Sequence, residues 1–298
     1  MSTVDELKTE DVFAPLFSLP VILPPTAWAG HIPFLFVLMK LLKPKNYVEL
    51  GVHYGASLLA AASAAKAYEL PTQLSGIDTW QGDEHTGLYE TRSVLDWLSD
   101  TVTKNFQNVT LVRSLFDEAL DRFQPGSIDL LHIDGLHTYE AVSHDFNAWL
   151  PKMSSSGVVI LHDTQIFDRG FGVFKLWQEL CERYTTLEFT HCCGLGVVFL
   201  DPKNPAIKPL VEIARNPEVR KLYLTIAEGA GQALPARMRD LKLDVEHAKA
   251  ERKAAIEVGE LRSAVNALEV EAETYKMQEA ARSYAMPFRQ LFSGRPGS

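Results

Sequence analysis

Cysteine is scarce: the 298 residues include only Cys181, Cys192 and Cys193. The adjacency of the last two is awkward for an ordinary disulfide, and no CxxC metal spacing occurs. This excludes a disulfide-stapled secreted domain and a cysteine zinc site, and points to a reducing cytoplasm. Positive charge is also in deficit, with 29 Lys and Arg against 38 Asp and Glu, a formal net charge of -9. No basic stripe interleaved with aromatics reverses that balance locally, so nucleic acid is a poor partner. Long apolar runs are missing too. Ile32–Leu42 is apolar but well short of the roughly 20 residues a bilayer span needs, and reads as a buried helix. The acidic N-terminus has no basic region of a secretory signal. There is no internal repeat and no GxGxxG dinucleotide loop.

What is present is enough apolar sequence, 46% of the chain, to build a full-sized core. The first 44 residues hold six prolines and read as extended chain up to a helix near His31 that stops before Pro44, a lid or packing segment. Residues 45–200 alternate short apolar runs with helical patterns, the signature of βα repeats on a mostly parallel, doubly wound α/β sheet. Strands are expected at 47–50, 74–78, 109–113, 128–134 and 158–161, with helices at 56–68, 139–150 and 173–184. Residues 187–191 and 197–200 flank Cys192-Cys193-Gly194 as a terminal antiparallel hairpin, for seven strands in all. Residues 201–234 read as a linker with short helices. From 235 the composition turns to Ala, Glu, Lys and Arg, a long amphipathic helix or coiled coil with a tail. There Leu261, Val265, Leu268, Ala272 and Tyr275 recur at 4,3,4,3 spacing, and Gly259 is a candidate break.

Doubly wound sheets bind ligands beyond the carboxyl ends of their strands. The first strand ends in Glu49-Leu50-Gly51-Val52-His53-Tyr54-Gly55-Ala56-Ser57, a glycine turn into a helix beside an acidic residue. Glu49 would repel a pyrophosphate and suits a cationic sulfonium with its ammonium group. Asp78 ends the second strand, where a carboxylate can accept ribose hydroxyls; that serves a nicotinamide cofactor as well as S-adenosylmethionine. The fourth strand delivers Asp134 and His137 to the same edge, and the fifth delivers His162 and Asp163. Two carboxylates could hold a divalent cation against sugar hydroxyls, with a nearby imidazole taking the proton. The plainer alternatives are that Asp78 and Asp163 cap local structure, that His162 points into the core, and that Trp28 and Phe34 are core anchors. Trp80, Asp83 and His85 follow the second strand as candidate rim residues.

The strings VELGVHYGASLL, GIDTWQGDEH, IDLLHIDGLHTYEAVSHDF and GVVILHDT, in that order, resemble the class I methyltransferases. In particular they resemble the subfamily related to metal-dependent sugar O-methyltransferases and cephalosporin-hydroxylase-like proteins. The resemblance spans roughly residues 28–200. It implies S-adenosylmethionine as donor, with Glu49, Gly51, Gly55, Ser57, Asp78, Trp80, Arg113 and Ser114 binding it. It further implies Asp134 and Asp163 as ligands of Mg or Mn, His137 as the base, and a small-molecule or saccharide acceptor. Two positions depart from the pattern: His53 replaces a middle glycine, and His162 replaces an acidic ligand. The expected function is therefore a metal-assisted O-methyltransferase of a sugar, glycan or glycosylated metabolite, self-associating through its C-terminal helix. The alternative is a non-catalytic scaffold module of a glycosyltransferase or polysaccharide assembly complex.

Overall fold

The structure, a computed structural model, describes residues 9–83, 87–88 and 91–291; residues 1–8 and the candidate rim residue His85 lie outside them. The chain divides into two compact units, Met1–Met238 and Arg239–Ser298.

The first unit is built on seven strands: β1 Asn46–Leu50, β2 Gln73–Asp78, β3 Val109–Arg113, β4 Ile128–Ile133, β5 Met153–His162, β6 Thr185–Phe189 and β7 Leu195–Phe199. They lie in the order β3-β2-β1-β4-β5-β7-β6. The first five run parallel, and β7 is antiparallel to both β5 and β6. Strand order reverses between β1 and β4, which places the ligand crevice of a doubly wound sheet beyond their carboxyl ends.

Side chains alternate across the strands and fill two cores. Val48, Leu50, Leu131, Ile133, Val159 and Leu161 face one layer, covered by α4 Tyr139–Trp149 and α5 Val173–Arg183. Tyr47, Leu130, Val158 and Ile160 face the other, with α1 Ile32–Leu42, α2 Ala56–Ala67 and α3 Thr91–Asn105. In α1 the residues from Ile32 to Met39 are all buried, as an apolar helix without a polar face requires. The alanine-rich α2 is buried from Ala56 to Ala65.

Three expectations change. Strand β5 begins at Met153 rather than 158, because its first residues pair with Ile128 before a register shift ahead of Leu130 and Val158. Residues 201–234 hold helix, as expected, but pack into the first unit. They carry α6 Lys208–Arg215 and the first turns of α7 Pro217–Leu291, and bury Leu210, Val211, Ile213, Tyr223, Ala227 and Leu234. Helix α7 also runs through Gly259 without a break. One glycine costs about 1 kcal/mol in a helix, too little to stop one of this length.

In the second unit every residue from 239 to 279 is exposed. No described helix is long and apolar enough to cross a membrane.

Candidate active site

Glycine turn, carboxylates and histidines meet where β1, β4 and β5 end. Gly51 takes φ +85, and a Cβ there would lie 1.9 Å from the Asp134 carbonyl oxygen. Glycine is therefore demanded by the neighbouring strand's backbone, where the sequence suggested a ligand's approach. Gly55 (φ +74) would press a Cβ against Leu98 of α3. His53 adopts φ 50, so the turn keeps a left-handed residue at this place although it is not glycine. Asp163 is left-handed as well, at φ 63, a conformation aspartate tolerates better than most side chains.

Two cavities open around this turn. One, of about 310 Å³, is lined by Trp28, Gly51, Ser57, Asp134, His137, His162, Asp163 and Phe171, among others. The second, of about 230 Å³, is lined by Gly51, Asp78, Thr79, Leu115, Phe116, Asp134 and Leu136 among others. Gly51, His53 and Asp134 border both.

The structure brings Asp134, His137, His162 and Asp163 together. His137 Nε2 is 2.9 Å from Asp163 Oδ2 and 3.5 Å from Asp134 Oδ1. His162 Nδ1 is 3.4 Å from an oxygen of each carboxylate. Burial opposes a charge on His137, but hydrogen bonds to Asp134 and Asp163, together with their charges, raise its pKa to about 9. Burial likewise opposes charge on His162, and the same two carboxylates raise its pKa well above the ordinary value. In return, the carboxyls of Asp134 and Asp163 are held below theirs despite burial.

Asp134, His162 and Asp163 offer ligand atoms all within 4.8 Å of one another. A fit to a cation is tested by the other ring nitrogen. His162 Nε2 lies 3.1 Å from the Cys192 carbonyl, which can only accept, so Nε2 carries the hydrogen. Nδ1 then faces two carboxylates with a lone pair unless it holds a proton or a cation. His31 Nε2 shares the same carbonyl at 3.1 Å. The hairpin bend that aims this carbonyl inward carries Cys192 at φ 48, Cys193 at φ 70 and Gly194 at φ 93.

The remaining expected residues divide. Ser57 lines the first cavity, but its hydroxyl donates to Glu49 Oε1 at 2.7 Å. Glu49 is not brought to either cavity. It is fully buried, accepts from the Tyr47 hydroxyl at 2.5 Å and sits opposite His132 in the β1–β4 register. Its side chain leaves the strand on the inner face, as alternation from Tyr47 requires. Asp78 borders the second cavity and accepts from the backbone amides of Val52, His53 and Trp80 at 2.7–2.9 Å. Three of its roughly four acceptor sites are thereby taken.

Trp80 is wholly buried and donates its indole N–H to the His53 carbonyl at 3.1 Å; it braces the turn from behind. Arg113 and Ser114 bond to the Thr79 carbonyl and to Glu118, and the next two residues, Leu115 and Phe116, line the cavity instead. Trp28 is both buried and cavity-lining, whereas Phe34 belongs to the core.

Sequence reading missed Phe171, whose ring stacks on His137 at 4.6 Å and 13°. The adjacent Gly172 N–H donates to the His137 carbonyl at 2.7 Å. The only available signal was its place between Gly170 and Gly172, which marks a loop but not its target.

Residues 48–164, the segment that holds all four clustered residues, match a family described as a methyltransferase domain. The curated "Uncharacterized protein y4gI" of Sinorhizobium fredii is 42% identical over 179 residues, covering 59% of this chain; the match spans only 19% of that protein's length. Among solved structures, the chain is similar to the SAH-bound Podospora anserina methyltransferase PaMTH1. There the identity is 14%, the TM-score 0.44, and coverage 67% of this chain and 97% of that one. It is also similar to the O-methyltransferase TomG of Streptomyces achromogenes, at 15% identity, TM-score 0.43, and 67% and 99% coverage.

Proposed function

We propose that this chain is an S-adenosylmethionine-dependent O-methyltransferase, assisted by a divalent cation, acting on a hydroxyl of a sugar, glycan or glycosylated metabolite. The supporting observation is the position of Asp134, which borders both cavities at the Gly51 turn. A donor seated in one cavity and an acceptor in the other would meet at that residue.

Methyl transfer is an in-line displacement in which the acceptor oxygen bonds to the methyl carbon as the carbon–sulfur bond breaks. The protein's task is alignment and removal of one proton. Asp134, His162 and Asp163 would hold the cation. Two oxygens and an imidazole suit manganese better than magnesium. When bound, a divalent cation polarises acceptor hydroxyls and offsets the carboxylate charge that favours protonated His137. His137, oriented by Asp163 and by the Phe171 ring, would receive the hydroxyl proton. Trp28 and Phe171 offer apolar faces at the cavity wall of the kind that suit a sugar ring. All three cysteines are unpaired, in keeping with a cytoplasmic setting.

The test is calorimetry with S-adenosylmethionine and its demethylated product, followed by turnover. We expect binding of both ligands, and Asp134→Ala and Asp163→Ala proteins that stay folded but inactive. His137→Ala should lose about 100-fold or more in turnover at little cost in donor affinity. Absence of donor binding at millimolar ligand would leave the scaffold reading. Full activity in excess chelator would remove the cation.

A further inference from the structure

Among the described residues beyond 238 the chain is one helix, and every side chain from 239 to 279 is exposed. Its apolar residues are not scattered. Written as heptads, Val258, Val265 and Ala272 occupy the a positions, and Ala254, Leu261, Leu268 and Tyr275 the d positions. In this seam Val258, Leu261, Val265, Leu268 and Tyr275 are each at least half exposed. β-Branched residues at a with leucine at d favour two strands over three or four.

The flanking charges select the orientation. Positions g carry Glu257, Ala264 and Glu271, and positions e carry Arg262, Glu269 and Lys276. In a parallel, in-register pair, each g residue faces the e residue five places later on the other strand. Glu257 then meets Arg262, Glu271 meets Lys276, and Ala264 leaves Glu269 without a like charge. Antiparallel overlap of the same seam would set Glu257 against Glu271 twice. Glu257 is 3.9 Å from Lys253 on its own helix, too loose a contact to compete.

We propose that the occupant of this exposed face is a second copy of the same chain, paired as a parallel, in-register, two-stranded coiled coil over residues 254–275. The pairing is independent of the reaction assigned to the first unit. Ile256, Val270 and Met277 fall at the outer f positions and stay uncovered in a pair, so a larger assembly is the competing outcome.

Sedimentation equilibrium of the full chain tests this. The expected mass is twice 33.3 kDa. Glu257→Lys with Glu271→Lys places like charges at both contacts, as does Arg262→Glu with Lys276→Glu in a second protein. Each double variant should self-associate at least about tenfold more weakly, and an equimolar mixture of the two should recover wild-type affinity. Donor binding and the melting of the first unit serve as folding controls. A monomer at about 100 μM, where even weak specific pairs form, a trimer or larger assembly, charge variants that pair unchanged, or a mixture that fails to recover would each overturn the proposal.

Discussion

At the residue scale, the site depends on a few positions whose freedom is restricted by neighbours rather than by ligand. Gly51 is held by the Asp134 carbonyl, so the turn that would receive a donor and the strand that delivers the carboxylate cannot move independently. Gly135 follows the same logic one residue on, where a Cβ would lie 2.5 Å from the Phe116 ring and 3.5 Å from Asp145 Oδ2. Asp145 itself is buried on α4, and desolvation, only partly offset by His144 and reinforced by Asp117, raises its pKa to about 7. Its ordinary value is about 3.9, so between roughly pH 4 and 7 the folded chain binds this proton more tightly than the unfolded chain does. The associated stability is complete below about pH 4 and is lost as pH rises through about 7. Asp145→Asn, which cannot ionise, should therefore melt close to wild type at pH 4.5 and several degrees higher at pH 8. Thermal melts across that range check it; parallel curves for the two proteins would mean that Asp145 is not a buried acid.

At the scale of elements, strands rich in Val, Ile and Leu were legible, and so was the hairpin at Cys192-Cys193-Gly194, because period and turn chemistry are local. The convergence of Asp134 with His162 and Asp163 followed from placing two strand tips side by side. What could not be read depends on contacts distant in sequence. The destination of the Glu49 side chain depends on Tyr47, Ser57 and His132 meeting beneath the turn. The tautomer of His162 is set by a carbonyl 30 residues away. Helix α3 gives a weak signal in sequence because its apolar residues are few, although Val94, Leu98 and Val102 are buried at helical spacing. The start of α7 is marked by local capping chemistry. Asn216 Oδ1 accepts from the amides of Glu218 and Val219, with Pro217 at the first helical position, a strong start signal. Asn216→Ala should cost about 1 kcal/mol by denaturant titration and Asn216→Asp much less. Equal losses in both would show that the side chain packs there rather than caps.

At the scale of the molecule, the two units differ in what stabilises them. Unit Met1–Met238 contains both apolar cores and all four clustered titratable groups, so it carries the means of its own folding and the whole candidate site. Unit Arg239–Ser298 has exposed side chains throughout 239–279. A solitary helix in water gains little from propensity alone, since most helical stability in proteins comes from packing an apolar face. Its helicity should therefore depend on protein concentration, whereas that of the first unit should not. In the full chain, far-ultraviolet dichroism should show two melting transitions, the lower one rising with concentration as pairing supplies the missing burial. A chain ending at residue 238 should retain the upper transition, donor affinity and turnover, and lose only the lower transition and self-association. If removing the helix instead abolished turnover while donor binding survived, residues beyond 238 would have to contribute to the acceptor side of the site.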